Sequence, residues 1–144
     1  MLKTISRLAL SELILIIEAC LLIMAAAFAV RFFKFQTLRK IASLPLRPKP
    51  ETKAATDTLL PKVRSAVAIA ARRSPFRSLC FEQGLTAQLM LRRRGINSKL
   101  FYGLNSGDEK TLGAHVWVMA DDFPICGERV AGNFAVMITM PADG

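Results

Sequence analysis

The first third of the chain is almost continuously apolar. From Leu8 to Phe33 the residues are mostly Leu, Ile, Ala and Met, and the run ends at basic residues. These residue types are all acceptable in a helix, so the pattern predicts one long helix over this stretch. Glu12 and Glu18 interrupt it, and the uncharged part from Ala19 to Val30 is shorter than a bilayer span of about 20 residues.

Three interpretations of this helix remain open. A membrane anchor is one, because a dozen Leu and Ile residues offset a carboxylate that costs about 2 to 3 kcal/mol near a bilayer centre. A secretory signal peptide fits less well, since no small-residue cleavage site follows the apolar run. We favour a helix docked on protein, because Arg7, Ser11 and Glu18 share one helical face and form a polar stripe.

A proline-rich segment, residues 45–56, follows and is interpreted as a linker. Asp57 or Thr58 is then a candidate cap for a helix that runs to Ala71, with Pro61 in its first turn. A second helix is predicted from Leu79 to Arg94, closed by Gly95. Its buried stripe is expected at positions spaced by four, namely Phe81, Leu85 and Leu89.

Alternating segments follow and predict an antiparallel sheet. The expected strands are 99–104, 114–120, 123–126 and 133–140. The chain is therefore predicted to be an α+β protein, in which residues 1–44 hold an apolar N-terminal helix, 45–56 a linker and 57–144 the main domain.

Charge and cysteine usage narrow the class of protein. A net charge of +9 favours acidic partners. Nucleic acid is not expected among them, because the basic residues are scattered and no recognised binding motif accompanies them. Three widely spaced cysteines favour a reducing, cytoplasmic compartment over a disulfide framework, and with a single histidine we expect no metal site and no cofactor.

Two residues are candidates for chemistry. Cys80 is expected in the first turn of its helix after Ser78 as N-cap, where unpaired N–H groups and the helix dipole favour a thiolate. His115, the only histidine, begins a strand, and a cysteine peptidase needs one imidazole to pair with its thiol. A buried structural cysteine and an ordinary edge histidine are the alternatives for either residue taken alone.

Three short segments together carry a family resemblance. They are Ser-Leu-Cys-Phe-Glu-Gln-Gly at 78–84, Arg-Arg-Arg-Gly-Ile at 92–96 and Ala-His-Val-Trp-Val at 114–118. In this combination the chain resembles the lasso peptide biosynthesis B2 proteins, which are papain-like and transglutaminase-like leader peptidases. The resemblance covers about Leu60 to Gly132, and the apolar N-terminal helix is also similar.

The resemblance implies a function and partners. It implies a cysteine peptidase core in which a helix bearing the cysteine packs on a small antiparallel sheet. Cys80 is then the nucleophile and His115 the general base, acting on the bond between leader and core of a ribosomally made precursor. The implied partners are the leader peptide, a small leader-binding protein and an ATP-dependent cyclase similar to asparagine synthetase.

The third catalytic residue departs from the family pattern. Many relatives have an Asp twelve positions after the histidine, where this chain has Gly127. If Asp121 and Asp122 form a two-residue turn, counting outward along the hairpin places Glu128 opposite His115. Glu128 is therefore one candidate to orient the imidazole, and a backbone carbonyl is the other.

Two further residues are candidates for substrate contact. Trp117 is expected on the same strand face as His115, although a core role is more common for tryptophan. Gln83, one turn after Cys80, is a candidate oxyanion donor or an ordinary solvated residue. Arg92, Arg93 and Arg94 are expected to be solvated charges that complement the helix dipole.

Two rival functions remain. A thioester at Cys80 that passes to an amine instead of water would make the chain an acyltransferase. A membrane-anchored basic module, with the first helix in the bilayer and the basic segments on anionic lipid, would make Cys80 dispensable.

Overall fold

The computed structural model describes residues 2–43, 53–73, 80–105, 114–127 and 134–140. This part of the chain forms an α+β fold, as the sequence predicts. In chain order its elements are the helices α1 (Leu2–Phe32), α2 (Phe35–Ala42), α3 (Lys53–Arg73) and α4 (Cys80–Arg93), followed by the strands β1 (Lys99–Asn105), β2 (Ala114–Ala120), β3 (Phe123–Cys126) and β4 (Phe134–Met140).

The four strands form one antiparallel sheet in the order β3-β2-β1-β4. Strands β2 and β3 are joined by a two-residue turn at Asp121 and Asp122, and Ala120 pairs with Phe123 as expected. Asp121 adopts a left-handed conformation with φ 53°, which Asp tolerates better than most residues. Strand β4 then lies beside β1 at the other edge of the sheet.

Helix α4 is the centre of the core, since it is buried on nearly all sides against α1, α3 and the sheet. It ends where the sequence predicts, with Gly95 at φ 76° and the Ile96 N–H donating to the Leu91 carbonyl at 3.0 Å. Its burial is wider than the predicted stripe. Leu85 is buried as expected, whereas Phe81 and Leu89 are only half-buried.

A buried amide on α4 ties three elements together. Gln88 is fully buried, and its Nε2 donates to the carbonyl oxygens of Ala42 at 2.9 Å and Met140 at 2.8 Å. Ser98 Oγ donates to Gln88 Oε1 at 2.9 Å. These bonds fix the ends of α2 and β4 and the start of β1 around α4, because a buried polar group left unpaired is costly.

Helix α1 docks on α3 and α4 through one face of small and branched residues. Leu15, Ala19, Ile23, Ala26 and Ala29 are buried there, at spacings of three and four residues. They belong to the same core as the buried residues of α3, α4 and the sheet. The division of the chain into residues 1–44, 45–56 and 57–144 stays a prediction.

The same helix is apolar enough to cross a membrane. Leu10–Phe32 has the length and hydropathy of a span, by composition alone. This segment is compatible with a core helix or with membrane association.

The structure differs from the sequence predictions at three places. Helix α2 was not predicted, and α3 begins at Lys53, so Pro61 lies inside the helix and not in its first turn. The expectation that the three arginines are solvated is wrong for two of them. Arg92 is buried and donates to the Ser98 carbonyl at 3.2 Å, and Arg94 is half-buried against Glu18.

Candidate functional site

Cys80 is the first residue of α4. Its thiol is free and half-buried. The first turn of a helix carries N–H groups without partners inside the helix, and they favour negative charge beside them. The predicted cap Ser78 lies outside the described residues. Cys80 is therefore placed where the sequence predicts it, at the positive end of a buried helix.

Gly84, one turn after Cys80, fixes how α4 crosses the sheet. A Cβ at Gly84 would lie 2.5 Å from Val116 Cγ1 and 3.6 Å from Val118 Cγ2, so only glycine allows this close approach. One turn further on, Gln88 bonds to Met140 and Ser98, near the far end of β2. Helix α4 thus runs along β2, and Cys80 lies towards the end of the sheet where β2 begins.

His115 lies at that same end, as the second residue of β2. Its Nε2 is 2.7 Å from the carbonyl oxygen of Gly127. A carbonyl oxygen only accepts, so Nε2 carries the proton and donates it, which leaves Nδ1 as the acceptor nitrogen. The ring also packs against Trp117 and Phe134, with centroids 6.1 and 5.1 Å away.

An aromatic cluster surrounds the imidazole on one face of the sheet. Trp117 is only 7% exposed and stacks on Phe101 at 5.6 Å. Gly103 pairs with His115 across the ladder, and a Cβ there would lie 2.9 Å from Phe134 and 3.0 Å from Trp117. The absent side chain makes room for the rings. Trp117 therefore packs among aromatic side chains and exposes little surface to a substrate.

Cys80 and His115 lie towards the same end of the sheet but on different faces of it. Val116 and Val118 face α4, so His115 and Trp117, which alternate with them, face the other side of the sheet. Within the described residues, the bond of the imidazole is to Gly127, and the thiol forms no hydrogen bond with it. Proton transfer between Cys80 and His115 therefore requires a movement that brings the two side chains together at the end of the sheet.

The residue predicted to orient the imidazole is not supported by the strand register. Val118 pairs with Cys126 while Met119 pairs with Pro124, so Ile125 is an extra residue on β3. The hairpin count that placed Glu128 opposite His115 is therefore wrong by one position. Glu128 itself lies outside the described residues, and the group that contacts the imidazole is the carbonyl of Gly127.

The backbone at Gly127 leaves no room for a side chain. Its φ is +76°, and a Cβ would collide with the Val116 carbonyl oxygen and lie 3.1 Å from Trp117 Cα. A residue with a side chain does not fit this backbone, and the group of Gly127 that contacts the imidazole is its carbonyl.

Other residues of the first turn of α4 are half-buried or buried. Gln83, three residues after Cys80, is half-buried, and Glu82 is buried despite its charge.

The contact of Phe134 with His115 was not predicted from the sequence. No local signal could reveal it, because β4 is separated from β2 by β1 in the sheet.

Asp121 and Asp122 lie at the opposite end of β2 from His115, as turn residues. They line a cavity of about 630 Å³ together with Leu60, Ile96 and Phe123. This cavity is separate from Cys80 and His115.

Comparison with known proteins adds one finding. Residues 22–139 match the family model described as the transglutaminase-like superfamily. No significant match to a curated protein or to a solved structure was found.

Proposed function

Because the chain belongs to the transglutaminase-like superfamily, whose members are generally cysteine-dependent enzymes, we propose that it is a cysteine peptidase that removes the leader from a lasso precursor peptide. Cys80 is the proposed nucleophile and His115 the proposed base. The observation that carries the proposal is that the start of helix α4 and the start of β2 lie at one end of the sheet.

The hydrogen bond from His115 to Gly127 supports a role for the imidazole. With Nε2 donating to the carbonyl, Nδ1 is free to accept the thiol proton. The carbonyl fixes the tautomer and the ring plane, which an acidic residue often does in related chemistry. Because His115 faces the side of the sheet opposite α4, the proposal requires the start of β2 or of α4 to move when substrate binds, so that the two side chains meet at the end of the sheet.

The proposed reaction has two steps. The Cys80 thiolate attacks the carbonyl carbon of the scissile amide, and the His115 imidazolium gives its proton to the departing amine of the core peptide. Water then loses a proton to His115 and attacks the thioester, which frees the leader carboxylate and the thiol. The Cys80 N–H is the proposed oxyanion donor, with Gln83 as a candidate second donor.

The proposed partners follow from this reaction. The substrate is a leader peptide presented by a small leader-binding protein. The freed core amine is the group that an ATP-dependent cyclase similar to asparagine synthetase would use next.

An acyltransferase is the second candidate, because the family match also fits transfer of the thioester to an amine. The two reactions differ in product mass. Hydrolysis adds the elements of water to the leader, whereas transfer joins the leader to the amine.

The test is precursor cleavage followed by mass spectrometry. Purified chain is incubated with a lasso precursor and its leader-binding protein, and Cys80→Ala is compared with Cys126→Ala, at a second half-buried cysteine outside any disulfide. We expect Cys80→Ala to abolish cleavage and Cys126→Ala to cleave near the parent rate. Cleavage by Cys80→Ala near the parent rate would end the proposal, and a leader joined to an amine would replace it with the acyltransferase.

A further inference from the structure

The outward face of α1 carries a continuous apolar stripe. Between 47% and 66% of each side chain in the stripe is exposed. We define the stripe as Leu10, Leu13, Ile14, Ile17, Leu21, Met24, Phe28 and Phe32. Apart from the adjacent Leu13 and Ile14, its members are spaced by three or four residues, which keeps them on one side of the helix over about six turns. An exposed apolar surface of this extent marks an interaction site on a soluble fold.

The opposite face of α1 is already occupied. Ala19, Ile23 and Ala26 are buried against the domain. Glu18 forms ion pairs with Arg93, at 2.8 Å, and with Arg94. A helix that crossed a bilayer would have to leave these contacts, since α3 carries charged residues that cannot follow it into hydrocarbon. The docked helix can instead bury only its outward half.

The charges beside the stripe are arranged for an anionic surface. The exposed side chains of α1 from Leu13 to Phe28 include no charged residue. Exposed basic residues then follow at the end of the stripe, namely Arg31, Lys34, Arg39 and Lys40. Arg31 comes 18 residues after Leu13, which is about five helical turns, so both lie on the same side of α1.

We propose that the stripe and these basic residues bind the surface of an anionic membrane, with α1 lying parallel to the bilayer plane. The apolar side chains enter the boundary between headgroups and acyl chains, and the basic residues contact lipid phosphates. A second copy of the chain is a poorer occupant. A net charge of +9 opposes self-association, and parallel pairing of two stripes would bring their basic ends together.

Vesicle flotation with the full chain tests this. The vesicles are phosphatidylcholine alone or phosphatidylcholine with phosphatidylglycerol at about 7:3. We expect the chain to float with the anionic vesicles, to bind the neutral ones at least about tenfold less, and to be released by salt or by a sodium carbonate wash. Equal binding to both vesicles would overturn the proposal, and so would retention after carbonate, which would indicate a helix inserted across the bilayer.

Substitutions at exposed positions test whether vesicle binding depends on the stripe or on any exposed apolar side chain, and they do not disturb the core. Leu21→Glu should lower vesicle binding about tenfold or more, because it places a charge in the middle of the stripe. Met137→Glu, at a similarly exposed apolar residue on β4, is the matched control and should bind like the parent. Replacing Arg39 and Lys40 by Gln should weaken binding about fivefold for each charge removed.

Two results would contradict the membrane assignment directly. One is a Leu21→Glu variant that floats as well as the parent. The other is a parent dimer in light scattering without lipid that Leu21→Glu converts to a monomer, which would assign the stripe to a second copy of this chain.

Discussion

At the scale of single residues, the site depends on a backbone group that no side-chain pattern specifies. The sequence predicts the places of Cys80 and His115 within their elements because each begins one, a helix and a strand. It does not predict the extra residue Ile125 on β3, so the count towards Glu128 fails by one position. The carbonyl of Gly127 contacts the imidazole as a result of that bulge.

Gly127→Ala should harm both stability and cleavage. At φ +76° a Cβ is strained by about 1 to 2 kcal/mol, and here it also meets the Val116 carbonyl, so the backbone must shift away from His115. We expect a lower urea midpoint and slower precursor cleavage. Gly95→Ala, at the same φ but at the end of α4, is the control that should lose stability while keeping the cleavage rate of the folded protein.

If Gly127→Ala cleaves the precursor at the parent rate, the Gly127 carbonyl has no part in holding His115. A loss of rate equal in both glycine variants would indicate a general effect of instability. The comparison of Gly127→Ala with Gly95→Ala therefore separates the effect of the His115–Gly127 hydrogen bond on the cleavage rate from the effect of backbone strain on stability.

At the scale of elements, the sequence predicts what local periodicity determines. The strands and α4 agree with prediction within about a residue at most ends, because alternation and Gly95 define them. The formation of α2 and the start of α3 at Lys53 depend instead on contacts with other elements of the fold. The end of α2 is held by the amide of Gln88, 46 residues away, and a contact of that kind leaves no trace in the local pattern.

The docking of α1 on α4 should depend on pH through Glu18. Burial alone would raise the pKa of Glu18, but the hydrogen bonds and charges of Arg94 and Arg93 outweigh it and lower the pKa below its usual value. A lowered pKa in the folded state stabilises the fold above the unfolded pKa of about 4.3, and this stability is lost as pH falls through the folded value. We expect the urea midpoint to fall in acid below about pH 4.

The variant that checks this is Glu18→Gln, which should lose about 1 to 2 kcal/mol at pH 7 and show a weaker acid dependence than the parent. Glu12→Gln, at an exposed glutamate on the same helix, should behave like the parent. If Glu18→Gln shows the same acid dependence of stability as the parent, that dependence comes from other carboxylates.

At the scale of the whole molecule, buried residues of α1 and α2 share one core with α3, α4 and the sheet. Residues 22–139 match the family model, so the match begins inside α1. Leu38 and Ala42 of α2 are buried in the same core as α3 and α4. Composition alone does not distinguish a docked first helix from a membrane anchor, because the inward and outward faces of this helix are both apolar.

Deletion of residues 1–43 should therefore leave a domain that does not unfold cooperatively. It removes the part of the core that α1 and α2 contribute and the Ala42 carbonyl that the buried amide of Gln88 bonds. Calorimetry and size-exclusion chromatography should show aggregation or loss of the thermal transition. A soluble deletion variant with the parent melting temperature and cleavage rate would instead make these helices a dispensable anchor.

The central claim is that Cys80 and His115 act as a pair, and the alkylation rate of Cys80 tests it most directly. The chain is treated with iodoacetamide at about pH 6 and the peptides are quantified by mass spectrometry. Cys20 and Cys126 serve as internal references, because all three cysteines are half-buried and outside disulfides. We predict that, with the leader peptide and its binding protein bound, Cys80 reacts faster than both references, and that His115→Ala slows Cys80 about tenfold or more under the same conditions without changing the other two. Equal rates for Cys80 in the parent and in His115→Ala would contradict the account.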